Sequence, residues 1–214
     1  MTVNQGVRGS IPRWGASFKN SMREHSINSL NNFISGWYHD DVDFCDELIK
    51  FHQDSDNIVQ GGHGNKVIDL SIKDSLDCYV DPAPGGIFIK YVNWLTEITK
   101  EYVKKYPKCN EYGAWAIAEG FTIKKYNKGS AFHAWHTERV TCQMPRGARH
   151  LVFLTYLNDI QDQGETEFFH QGIKVKPEKG LTMIWPADWT FTHRGIPSQT
   201  EEKYIINGWY HFVK

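Results

Sequence analysis

His136, Glu138 and His193 are side chains of the kinds that hold a metal ion, and Lys203 follows them. Only Thr137 separates the first two. In a strand, residues i and i+2 face the same side, so His136 and Glu138 would converge from Cα atoms about 7 Å apart, with Thr137 turned away. His193 must then arrive from a distant strand end or loop. Two imidazoles and a carboxylate on one side of an ion leave its other side open, which suits redox-active Fe(II). Zinc is a rival for the same donors. With 10 histidines in the chain, an H-x-E…H pattern also arises by chance. Lys203 is a cation suited to the far carboxylate of a dicarboxylate cosubstrate. His133 would point away from His136 across a strand. His150 and His170 lack a ligand-spaced partner.

The elements that must position these residues are bounded by composition. A chain of 214 residues suits one large domain, and at that size about 70% of the unfolded surface can be buried. The 24 basic and 25 acidic residues nearly cancel, so no pull toward nucleic acid or an anionic membrane surface follows. The sequence has no apolar run of about 18 residues, and a membrane span is not expected. The polar stretch Met1 to Ser10 lacks the apolar centre of a signal peptide. Cys45, Cys78, Cys109 and Cys142 form no CxxC motif and read as reduced thiols of a cytoplasmic protein.

Residues 1–35, rich in Gly, Ser, Asn and Arg, read as an irregular arm. Residues 36–214 read as a single domain, with helices over 40–106 and a β-rich core over 112–214. Asp40 and Asp41 precede Val42, Cys45, Leu48, Ile49 and His52, a cap signal followed by helical spacing. Residues 60–64 and 81–86 read as loops. Tyr91, Leu95, Ile98 and Tyr102 then step at helical intervals, and Lys104 and Lys105 lie where a helix end favours cations. Beyond 112 the apolar runs shorten, predicting strands over 114–126, 131–140, 150–157, 167–175, 181–185 and 203–213. Helices followed by strands point to an α+β fold with a sandwich or barrel. In the last strand, Lys203, Ile205, Asn207, Trp209 and His211 share one face; Tyr204, Ile206, Tyr210 and Phe212 share the other. Both faces are substantially apolar and both need cover.

Several segments together resemble one family. Tyr126-Asn127-Lys128-Gly129 before His136-Thr137-Glu138 looks like the YxxG…HxD segment of the prolyl 4-hydroxylase-like branch of Fe(II)/2-oxoglutarate oxygenases. Arg149 through Tyr156-Leu157-Asn158 resembles its R…YLN strand. Gly164-Glu165-Thr166-Glu167-Phe168 resembles its GGETxF turn, and Lys176 to Gly180 its Pro-x-x-Gly segment. His193, Lys203 and Trp209 follow its H…K/R…W ending. Residues 33–60 look like its opening helix. The wording around Thr192-His193-Arg194-Gly195 is similar to hydroxylases of bacteriophage genomes, which would place the protein in a host cytoplasm.

The resemblance implies a double-stranded β-helix, a cupin-like jelly-roll barrel, with the N-terminal helices packed on one sheet. It implies Fe(II) held by His136, Glu138 and His193, and 2-oxoglutarate and O2 as cosubstrates, with ascorbate as a supporting reductant. Lys203, Tyr126, Tyr156 and Asn207 would contact 2-oxoglutarate. Trp209, Arg149, Arg139 and Trp135 are candidates for the substrate pocket; alternation turns Trp135 and Arg139 away from the metal. The implied reaction hydroxylates an unactivated C–H bond, releasing succinate and CO2. Its implied substrate is prolyl in a peptide or protein, with a free amino acid or other small molecule as the alternative. One departure stands out: Glu138 occupies a position where the pattern has Asp. A carboxylate of either length argues against halogenation. A non-catalytic jelly-roll binding protein is one rival. A nucleobase dealkylase is another, disfavoured by the near-neutral charge and the lack of Arg after Lys203.

Overall fold

The computed structural model describes residues 22–27, 32–63, 67–81 and 86–214. Most of the expected arm, residues 1–21 and 28–31, lies outside the described residues, as do parts of the two expected loops. The strands are β1 (Arg23–His25), β2 (Ser35–Tyr38), β3 (Ile58–Gln60), β4 (Leu76–Val80), β5 (Trp115–Ile117) and β6 (Phe121–Tyr126). They continue with β7 (Arg149–Tyr156), β8 (Thr166–Phe168), β9 (Ile173–Val175), β10 (Leu181–Pro186), β11 (His193–Gly195) and β12 (Lys203–Phe212). Two α-helices, α1 (Asp43–Gln53) and α2 (Ile87–Lys105), precede most of them.

The main sheet runs β1-β2-β10-β7-β12-β6-β4-β3, with β5 pairing the far end of β12. A second sheet, β11-β8-β9, faces it. Every pairing within the two sheets is antiparallel. Among the described residues the two sheets form the expected jelly-roll sandwich, without closing into one continuous barrel.

Both faces of β12 are covered, as its alternation requires. Tyr204, Ile206 and Tyr210 enter a cluster with Phe44, Cys45 and Leu48 of α1 and Tyr91, Leu95, Ile98 and Tyr102 of α2. Ile205 enters a second cluster between the sheets, with Tyr126, Leu154, Tyr156, Phe168 and Trp185. The helical spacing of α2 thus reports a real buried face. Asp41 serves α1 from two residues before its start, its Oδ1 accepting the Asp43 N–H at 3.1 Å.

Buried polar groups lock α2 to the sheet. Trp94 Nε1 donates to Thr182 Oγ1 at 2.8 Å. Thr182 and Thr155 hydroxyls meet at 2.7 Å, and Tyr91 reaches Thr155 at 2.9 Å. Each partner satisfies a group that burial would otherwise leave costly. Gly208 is required by close approach: a Cβ there would lie 2.4 Å from the Phe153 ring. Gly208→Ala is therefore expected to cost about 1–3 kcal/mol through overpacking. Thermal unfolding would show a lowered midpoint; an unchanged midpoint would mean that the Phe153 ring has room to turn.

Several local expectations are corrected. β1 lies within the expected irregular arm and pairs with β2. β3 and β4 sit between the two helices, where only helix and loop were expected. The 114–126 and 167–175 runs each divide into two strands. Residues 131–140 form no continuous strand; apart from a bridge between Lys73 and Phe132, they touch strand pairing only where His136 bridges His193.

Candidate metal and cosubstrate site

The backbone brings the two histidines face to face. β11 pairs with β8, setting His193 opposite Phe168. On the other side of β11, His136 and His193 exchange both N–H···O bonds at 2.9 Å. Their rings lie with centroids 4.3 Å apart. Glu138 extends from the same segment, and its Oε1 lies 3.8 Å from His136 Nε2 and 3.7 Å from His193 Nε2. One ligand atom from each residue falls within 4.8 Å of the others. The shared face expected for His136 and Glu138 is realised without a regular strand. Thr137 turns away and donates its hydroxyl to Ala187 O at 3.0 Å.

Hydrogen bonding prepares these imidazoles for a metal. His136 Nδ1 faces Ala134 O at 3.0 Å, and His193 Nδ1 faces Phe191 O at 2.9 Å. A carbonyl only accepts, so each Nδ1 carries the proton and each Nε2 presents its lone pair. Burial pushes the His136 pKa down to about 3, and nearby His193 lowers it further while Glu138 opposes the shift. Burial likewise lowers His193. Burial works against the Glu138 charge, but the two histidines, Arg149 and Lys124 hold its carboxyl below the usual range. Two neutral imidazoles and one carboxylate, spaced around one point, fit a divalent ion. Phe132 stacks on His136 at 3.5 Å between centroids and fixes the ring plane.

Lys203 lies deeper between the sheets and is buried. Its Nζ donates to Gly164 O at 2.7 Å and sits 5.1 Å from the Tyr126 ring centroid. Among the described residues no carboxylate forms an ion pair with it. Burial pushes its pKa down to about 8, partly offset by Glu165. Such a lone buried cation is suited to an incoming carboxylate. Tyr126, Tyr156 and Asn207 line the same cavity of about 1410 Å³, which also reaches the three metal-type residues. Tyr156 donates to Thr166 Oγ1 at 2.6 Å, which fixes its hydroxyl. Asn207 Oδ1 and Trp209 Nε1 are buried with no hydrogen-bond partner, two polar atoms suited to a ligand.

The remaining candidates divide. Trp135 lines the cavity, under the Arg194 guanidinium at 4.4 Å. Arg139 pairs with Asp188 at 3.5 Å and does not line it. Arg149 also lines the cavity, and its guanidinium is engaged by Glu138 and Glu119 at 3.2 and 2.7 Å. Sequence reading missed Lys124 and Glu119. Lys124 lines the cavity, and burial, with Lys73 next, lowers its pKa to about 8. A two-residue step back from Tyr126 would have placed it on the interior face. Glu119 sits in the break between β5 and β6, where no periodicity marks it.

The sequence profile of the 2OG-Fe(II) oxygenase superfamily matches residues 121–211, a span that contains His136, Glu138, His193 and Lys203. No curated protein sequence matches the chain significantly. A Pseudomonas putida prolyl-4-hydroxylase structure is similar with TM-score 0.66 and 16% identity, over 85% of this chain and 94% of that one. The viral collagen prolyl hydroxylase of Paramecium Bursaria Chlorella virus-1, in its 2OG complex, gives TM-score 0.63 and 19% identity over 85% and 97%. A Trichoplax adhaerens prolyl hydroxylase bound to a hypoxia inducible factor peptide fragment gives 0.63 and 17% over 91% and 84%. At these identities the likeness is one of fold. The profile match and the facing histidines meet in the same segment: residues 121–211 are similar to the 2OG-Fe(II) oxygenase superfamily, and the fold is similar to the jelly-roll of the prolyl 4-hydroxylases.

Proposed function

We propose that the protein is a hydroxylase acting on a prolyl residue of a peptide or protein, with His136, Glu138 and His193 holding Fe(II) and Lys203 receiving the far carboxylate of 2-oxoglutarate. The carrying observation is the convergence of two Nε2 lone pairs and Glu138 Oε1 in a cavity that also holds a buried lysine with no counter-ion among the described residues. Fe(II) bound there supplies the oxygen-activating chemistry by which 2-oxoglutarate, O2 and R–H become succinate, CO2 and R–OH. Residues 36–214, joined at the sheet edge by β1, would form the oxygenase domain. Ascorbate would keep the metal reduced. No described helix is long and apolar enough to cross a membrane; a cytoplasmic setting, in a host cell for a phage protein, remains our reading.

The protein's own groups bind and orient. The two Nδ1–H···O=C bonds hold the imidazoles in the ligating tautomer. Phe132, Phe168 and Trp185 wall the rings from water. Lys203 and the Tyr126 and Tyr156 hydroxyls would hold the cosubstrate by its distal end, and Asn207 would offer its unpaired Oδ1 nearer the metal. Trp209 and Trp135 would border the substrate. The peptide assignment is supported by the prolyl hydroxylase neighbours, one of them bound to a peptide. Mass spectrometry of peptides, ribosomal proteins and free amino acids incubated with the loaded protein should show a +16 Da product on proline-containing peptides. A product confined to free amino acids would overturn the peptide reading. Absence of cosubstrate-dependent oxygen consumption would favour the non-catalytic binding protein.

Binding of 2-oxoglutarate should depend on pH through Lys203. Its charged form is the one a carboxylate binds, and that form is lost as pH rises through about 8. The dissociation constant, measured anaerobically on Fe(II)-loaded protein, should rise about fivefold between pH 8 and 9, as the charged fraction falls from about one half to about one tenth. Lys203→Arg, whose guanidinium stays charged, should show no such rise. A flat profile for the wild type would remove Lys203 from the binding role.

A further inference from the structure

We infer that Arg149 is a positioning residue for the metal-binding carboxylate, and that Glu119 and His211 anchor it. The inference rests on the reading of His136, Glu138 and His193 as metal ligands. Glu138 has two carboxylate oxygens, and the structure treats them differently. Oε1 faces both imidazoles. Oε2 accepts from Arg149 Nη1 at 3.2 Å, and the same nitrogen donates to the Glu138 main-chain carbonyl at 3.2 Å. The guanidinium therefore grips this residue at both its ends.

The other arm of the fork is held as firmly. Arg149 Nη2 donates to Glu119 Oε2 at 2.7 Å. The second oxygen of Glu119 accepts from His211 Nε2 at 3.0 Å. The Trp209 ring lies beneath the guanidinium, 3.4 Å from its carbon. Arg149 and His211 are both buried. They meet where the pairing of β7 with β12 shifts register between Tyr210 and His211, and such irregularities re-aim side chains near functional sites. Three parts of the chain thus converge on the guanidinium at the start of β7: the Glu138 segment, the end of β12 and the turn before β6.

This arrangement accounts for Glu where the family pattern has Asp. Glutamate carries one more methylene and one more rotatable bond, so its carboxylate can swing or bind an ion through both oxygens. A planar fork that occupies Oε2 removes that freedom. Oε1 is left as the single oxygen offered to the metal, and the positions opposite remain open to the cosubstrate and O2. Glu119 balances the arginine charge, so the clamp adds little net charge beside the site.

The test is a Co(II) titration of the full chain, followed by the visible spectrum of the bound ion, which reports its ligand number and geometry. Arg149→Lys keeps the charge but lacks a fork that can span Glu138 and Glu119. Arg149→Met removes the charge as well. Both are expected to bind Co(II) about 10- to 100-fold more weakly, the range for lost outer-shell partners, and to change the spectrum. Thermal unfolding of the metal-free proteins monitors folding. Should these variants fail to fold, Glu119→Gln leaves Arg149 in place, weakens its anchor and is expected to shift the spectrum the same way. A Co(II) affinity within threefold of wild type, with an identical spectrum, would overturn the inference. A wild-type protein that takes up no Co(II) and no Fe(II) would instead overturn the metal reading on which it rests.

Discussion

His193→Ala is expected to abolish Fe(II) binding and, with it, succinate formation, in a protein that still folds. The substitution removes one of three ligating atoms. Losing an outer-shell partner already costs about 10–100-fold in metal affinity, so the loss of a ligand should exceed that range. The fold should survive because the His136–His193 bridge is made by main-chain atoms, which alanine retains. The local cost is the Phe191 carbonyl, which loses its Nδ1–H partner; an unsatisfied buried acceptor costs about 1–3 kcal/mol. His136→Ala should give the same loss of metal. Retained Fe(II) affinity in a folded His193→Ala protein, measured by anaerobic titration, would mean that the ion binds elsewhere.

The second large effect belongs to Lys203. Lys203→Ala should raise the 2-oxoglutarate requirement while leaving Fe(II) affinity within a few-fold of wild type. One ion pair at about 4 Å, with an effective dielectric near 20, is worth about 4 kcal/mol before desolvation. Since each 1.4 kcal/mol is about tenfold, the dissociation constant should rise by about one to three powers of ten. The metal should be spared because Lys203 contacts the Gly164 carbonyl and the Tyr126 ring and makes no ion pair with Glu138. Equal losses of metal and cosubstrate binding would indicate that the variant has disturbed the sheet instead.

What the sequence revealed depended on the length and regularity of each element. β12 is ten residues long, and its alternation correctly divided the helix-facing side from the interior, with Lys203 and Asn207 inside. α2 was legible for the same reason. β3 has only three residues and gives too short a pattern to show a period. β4 carries Asp77, buried and paired with Lys73 at 2.6 Å, where apolar patterning would exclude both. The His136 segment was read as a strand and is mostly irregular, yet one bridge to β11 preserved the geometry that the strand reading implied. Arg149 shows where the sequence falls short. Its motif position suggested a pocket residue, and it does line the cavity; the positioning role inferred for it depends on Glu119 and His211, which lie far from it along the chain and meet it only through the sheet.

The most direct test of the central claim is anaerobic titration of the purified protein with Fe(II) and then 2-oxoglutarate, followed in the visible spectrum. The expected result is one Fe(II) per chain and a weak charge-transfer band from a chelated keto acid, appearing only when both are present and absent from His193→Ala. Fe(II)-loaded protein that gives no such band at saturating 2-oxoglutarate, and forms no succinate on admission of oxygen, would contradict it.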